Sequence, residues 1–142
     1  MNLTKLNNLL KTVLVIAGSD PSGGAGIQAD LKTLTSFGVY GMTAITALTE
    51  QNSNGVFDIL EIPIDFGVKQ MNCGLSDINA NAVKIGMLHS ADLISAVLEA
   101  LFNNNIVSNK KVNIVLDPVM VAKGGHKLLK ENAIDARKTF IK

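Results

Sequence analysis

Short runs of β-branched and aliphatic residues recur along the chain at 13–17, 43–48, 56–62, 82–85 and 112–116, and longer stretches of helical period separate most of them. Such alternation implies an α/β fold of parallel strands joined by crossover helices. The helical patterns cover 26–37, 64–75, 90–102 and 130–142. Gly38 is placed to end the first, and Ser90 to cap the third. On that third helix Leu93, Val97, Leu98 and Leu101 share one stripe, while Asp92 and Glu99 lie elsewhere, so it is expected to rest on a sheet. Leu3, Leu6, Leu9 and Leu10 give the N-terminal stretch one apolar helical face of its own.

Open α/β sheets bind ligands outside the carboxyl ends of their strands. Here those ends carry Gly18 and Asp20, Gln51 and Asn52, Gly86 and Met87, and finally Asp117, Pro118 and Val119. These residues converge only if the sheet is parallel.

The densest signal is Gly18-Ser-Asp-Pro-Ser-Gly-Gly-Ala-Gly26-Ile-Gln-Ala-Asp30, a glycine-rich turn between an apolar strand and a helix. Glycine permits close backbone approach, and the amides that open a helix lack intrahelical partners, so the loop reads as a place for an anion or a polar ring. It matches neither common phosphate motif. Gly23 is followed by Gly24 and Ala25 rather than by Lys-Ser, and Gln28 and Ala29 stand where a dinucleotide fingerprint needs a third glycine. Asp30, a helical turn beyond Gly26, has the reach to accept hydrogen bonds from an amino or hydroxyl group near the loop, or else is an exposed helix charge. Gln51, just past a strand, carries the donor and acceptor needed to read a heteroaromatic edge. Asp117 leaves a buried strand where magnesium or phosphate ligands are often found. Beyond it Lys123, Gly124 and Gly125 form a basic, flexible loop.

Composition narrows the classes. The chain has 142 residues, enough for one domain with a sizeable core, and its formal charge of +1 is spread without a basic stripe, which argues against nucleic acid. Cys73 is the only cysteine, so no intramolecular disulfide can form, and its expected role is as a small core residue. His89 and His126 have no carboxylate or cysteine at ligand spacing, which argues against zinc, and no serine-hydrolase elbow is present. No run reaches the length of a signal-peptide core or a membrane span, so a cytoplasmic location is expected.

Four segments together resemble the hydroxymethylpyrimidine/phosphomethylpyrimidine kinases of thiamine biosynthesis. They are the stretch from Ile16 to Lys32 that holds the glycine loop, Ile45-Thr-Ala-Leu-Thr-Glu-Gln-Asn52, Lys84-Ile-Gly-Met-Leu88 and Leu116-Asp-Pro-Val-Met-Val-Ala-Lys123. The resemblance runs in family order from about Val13 to the end of the chain. It implies a ribokinase-like parallel-sheet sandwich and transfer of the ATP γ-phosphoryl group to a pyrimidine alcohol and then to its monophosphate. By the same match Gly18, Asp30, Gln51, Met87 and Val119 would line the pyrimidine pocket, with Asp30 and Gln51 bonding the aminopyrimidine and Met87 on its ring. Asp117 would face Mg2+ and the phosphates of ATP.

The chain departs from the family in two respects. Its loop reads Ala122-Lys-Gly-Gly-His126 where the family has Ala-Lys-Ser-Gly-Asp. The second half of the family's fold, with most of the ATP site and the Gly-Thr-Gly-Cys segment that gathers amides around the phosphoryl group, does not occur. Residues 1–11 then form an N-terminal extension and 12–142 the N-terminal portion of a pyrimidine kinase domain. Little or no kinase activity is expected of such a chain alone, and self-association or a complementary second half is expected to cover its open sheet. The alternatives are a non-catalytic pyrimidine-binding module and an unrelated α/β nucleotide binder.

Overall fold

The computed structural model describes residues 10–118. The N-terminal face at Leu3, Leu6 and Leu9, Val119, the loop at Lys123 and the helix expected over 130–142 lie outside them. The described elements are β1 (Thr12–Ser19), α1 (Gly26–Ser36), β2 (Tyr40–Asn52), β3 (Gly55–Glu61), α2 (Ile64–Asp77), β4 (Ala82–Ile85), α3 (Ala91–Asn103) and β5 (Asn113–Leu116). They build a five-stranded sheet in the order β3-β2-β1-β4-β5.

Alternation along β1 decides which layer each residue joins. Leu14 and Ile16 join Val83 and Ile85 of β4 in the larger core, closed by Met71 of α2 and by Leu93, Ile94, Val97 and Leu101 of α3. Val15 and Ala17 point the other way and pack with Ile27 of α1, flanked by Leu31, Leu34 and Ile45. The stripe expected on α3 is therefore the face that meets the sheet, and Ser90 caps the helix, its hydroxyl accepting from Leu93 N at 3.2 Å. Gly38 closes the α1 end at φ +66°.

Strands β1, β2, β4 and β5 are parallel, but β3 runs antiparallel to β2. The run at 56–62 is thus the return arm of a hairpin rather than a crossover-linked strand. The physical reason is the short connection between Asn52 and Gly55, since a parallel return needs on the order of a dozen residues. Asn52 Oδ1 accepts from Asn54 N at 2.8 Å and closes the turn. Strand β2 consequently extends well past 48, its second half pairing with β3 from Ala47 to Asn52. Before β3 reaches it, the Ile45 amide and carbonyl are met by the Gln70 carboxamide of α2, at 3.0 and 3.1 Å.

Cys73 is exposed rather than in the core. The buried positions of α2 are Gly67 and Met71, one helical turn apart, and a residue two beyond Met71 turns toward solvent.

Candidate functional site

The ends of the parallel strands are laced together by backbone bonds, Gly86 N to Ile16 O and Asp117 N to Ile85 O, each at 2.8 Å. This brings Gly18, Met87 and Asp117 to one edge of the sheet. Gly18 is backed by Met87 so closely that a Cβ on it would lie 2.7 Å from Met87 Cε. The Met87 carbonyl accepts from the buried Thr46 hydroxyl at 2.9 Å, which ties it to β2. Further along β2, Thr49 Oγ1 lies 2.8 Å from Ser19 O and 3.2 Å from Gln51 Oε1. A hydroxyl has one proton, and the shorter contact takes it, so the Gln51 carboxamide is only lightly held. Gln51 itself belongs to β2, next to a register shift at Glu50/Gln51, and not to a loop past the strand.

A second group sits on the α1 side of the same edge. Asp30 does not turn back to the glycine loop; its Oδ2 accepts from Lys84 Nζ at 2.9 Å, with about a quarter or less of either side chain exposed. Lys84 Nζ also stands 3.6 Å from Asp117 Oδ2, whose side chain is half exposed. The two groups meet where Ala17 and Gly18 run beside Gly86 and Met87: a Cβ on Gly86 would lie 3.0 Å from Ala17 Cβ and 3.1 Å from Lys84 Nζ.

The glycine loop is organised differently from the expectation. Asp20 is buried, and its Oδ2 accepts from Gly24 N and Ala25 N at 3.1 and 2.8 Å, while Oδ1 accepts from Ser22 N and Oγ at 2.8 and 2.7 Å. The amides that were to greet an anion are engaged by the protein's own carboxylate. Burial opposes ionisation of Asp20, but the hydrogen bonds from Ser22, Ala25 and Gly24 together outweigh it and hold the carboxyl below its ordinary value of 3.8. Gln28 adds a staple, donating to Ser19 Oγ and accepting from Asp20 N at 2.7 and 2.8 Å. Gly26, at φ +55°, starts α1 so near β1 that a Cβ there would come within 2.3 Å of Gly18 O.

His89 does have a carboxylate beside it, Glu61 Oε2 at 3.3 Å from Nε2, supplied from the end of β3 and invisible to local spacing. Among the described residues no group of three or more His, Cys, Asp or Glu could hold a metal ion, and no helix is long and apolar enough to cross a membrane. A shallow depression of about 420 Å³ opens between the glycine loop and the hairpin, lined by Pro21, Leu48, Thr49, Glu50, Asp58 and Leu60. It adjoins Gln51 through Thr49 but includes none of the expected site residues.

Lys84, Thr46, Thr49 and Gln28 are the parts of this edge that sequence reasoning did not single out. Lys84 carried a signal: a lysine inside the apolar run Ala82-Val-Lys-Ile85 of an interior strand needs a carboxylate opposite it.

Comparison with known proteins adds the lineage. A family model described as phosphomethylpyrimidine kinase matches residues 20–142. The hydroxymethylpyrimidine/phosphomethylpyrimidine kinase of Salmonella typhimurium is 48% identical over 122 residues, which are 86% of this chain and 44% of that protein. The crystal structure of phosphomethylpyrimidine kinase from Clostridium difficile superposes with a TM-score of 0.79 at 45% identity, over 89% of this chain and 52% of that one. Pyridoxal kinase from Staphylococcus aureus, in complex with AMP-PCP and pyridoxal, gives a TM-score of 0.75 at 36% identity, over 93% and 45%. The chain spans about half the length of these relatives. Its architecture is that of the ribokinase-like kinases, and the chain belongs to the phosphomethylpyrimidine kinase family.

Proposed function

We propose that this chain supplies the pyrimidine-holding part of a kinase that phosphorylates 4-amino-5-hydroxymethyl-2-methylpyrimidine and its monophosphate in thiamine biosynthesis. One observation carries the reading: Asp30, Gln51 and Met87, the residues expected to meet the aminopyrimidine, rise from different elements to the same edge of the sheet. A carboxylate and a carboxamide complement an aminopyrimidine, which presents both donors and acceptors, and the Met87 thioether suits a ring face. By the family resemblance alone Val119, outside the described residues, would line the same pocket.

ATP would supply the phosphoryl group, and Mg2+ would neutralise charge on its phosphates. Asp117 offers one carboxylate, which fits an ion that arrives on a nucleotide, since Mg2+ is commonly held by one or two carboxylates plus substrate phosphates. The chain's own contribution is to bind and orient the alcohol. Phosphoryl transfer also requires preorganised donors around the moving group, which the resemblance places in a Gly-Thr-Gly-Cys segment that residues 1–142 do not contain. A single missing donor costs ~3 kcal/mol, about a hundredfold in rate. The chain alone is therefore expected to bind pyrimidine with little or no turnover, as a non-catalytic fragment awaiting a complementary half. Val115 and Ile114 on β5, 57% and 39% exposed, are surfaces that such a half or a second copy would cover.

Calorimetry with the hydroxymethylpyrimidine, with and without ATP, tests the reading alongside a kinase assay. Pyrimidine binding is expected; its absence, or binding of ATP alone, would overturn it. Turnover near that of a full-length relative would overturn the expectation of inactivity.

A further inference from the structure

Lys84 is the one charged residue of β4, set between Val83 and Ile85, which are both fully buried. Its register neighbours are Val15 of β1 and Val115 of β5, so its stem crosses an apolar face before the ammonium emerges at the strand ends. Burying most of an ammonium is costly unless a carboxylate pairs with it, so this placement is an arrangement held by Asp30 and not a chance surface contact. The room for it comes from Gly86, where a Cβ would crowd Nζ at 3.1 Å.

The contact is made to one oxygen only. Lys84 takes Asp30 Oδ2, and among the described residues no donor meets Asp30 Oδ1. A carboxylate gripped through one oxygen, with the other unoccupied, is an oriented acceptor for a single N–H donor. Asp117 Oδ2 stands 3.6 Å from the same ammonium, a longer approach than the 2.9 Å contact that holds Asp30.

We propose that Lys84 is a positioning residue of the site: it fixes Asp30 through Oδ2 so that Oδ1 meets the ring amino group of the ligand. This rests on the pyrimidine reading above and deepens it, because it makes recognition of the amino group depend on a residue that does not touch the ligand.

The test compares binding of the 4-aminopyrimidine alcohol and its 4-deamino analogue by calorimetry. The native chain is expected to prefer the amino compound at least about tenfold, the scale of one hydrogen bond to a charged acceptor. Lys84→Met is expected to reduce that preference to about threefold or less, and Lys84→Arg to restore most of it. A merely structural role would weaken both compounds equally and leave the ratio unchanged, which would overturn the assignment. If Lys84→Met does not fold, Asp30→Asn and Asp30→Asn/Lys84→Met are compared: equal ratios support action through Asp30, and a further drop in the double variant overturns it. Failure of the native chain to bind either compound overturns the pyrimidine reading and this assignment together, whereas native binding with an undiminished ratio in Lys84→Met overturns the assignment alone.

Discussion

Asp20 holds Ala25: its Oδ2 lies 2.8 Å from the amide of this residue, which immediately precedes α1, and its Oδ1 is filled by Ser22. Because both oxygens accept from backbone N–H groups, an asparagine would set its NH2 against a donor whichever way it turned. Asp20→Asn is expected to cost about 2 kcal/mol in denaturant unfolding.

The same carboxylate makes stability depend on pH. Its folded value lies below 3.8, so between the two values the unfolded chain binds more protons than the folded one. Stability from Asp20 is therefore complete above its unfolded value and is lost as pH falls through the lower folded value. Acid titration of the unfolding midpoint is expected to show this loss in the native chain and a reduced one in Asp20→Asn.

Gly26→Ala is expected to be among the most damaging single-atom-scale changes on this edge. The added Cβ meets Gly18 O, a backbone atom that cannot step aside, at 2.3 Å and at φ +55°. A loss on the order of 2–3 kcal/mol in the unfolding free energy is expected.

Gly18→Ala meets the flexible tip of Met87 instead, at 2.7 Å from Cε. Stability should fall by less than about 1 kcal/mol, while displacement of Met87 lowers aminopyrimidine affinity about tenfold. Calorimetry and thermal melting on the same samples separate the two effects.

Gln70→Leu should act through β2 without touching the candidate site. It strands the Ile45 N–H and C=O, which Gln70 now satisfies, and replaces a near-isosteric amide by an apolar group. The expected cost is about 1–3 kcal/mol by chemical denaturation, with faster amide exchange at Ile45.

The sequence made the local elements legible where one signal dominated. The run at 82–85 and the Ser90 cap correspond to β4 and the start of α3, because apolar alternation and a capping hydroxyl are properties of a few adjacent residues. The direction of β3 was missed, since its apolar content says nothing of its partner; only the shortness of the turn after Asn52 does. Asp20 was legible in principle, because an Asp side chain in a turn commonly accepts from the backbone N–H two residues on, as it does from Ser22 N. The Asp30–Lys84 and Glu61–His89 pairs were not, as they join residues far apart in the chain that only the fold brings together.

Gln51 owes its orientation to the hairpin as much as to β1, since β2 is shared between a parallel and an antiparallel neighbour. Lengthening the turn at Ser53 by a single residue would slide β3 one step against β2, which β1 holds in place, and turn the β3 side chains to the opposite face of the sheet beside that carboxamide. The span of the turn thus sets which β3 residues stand beside Gln51, although no turn residue belongs to the site.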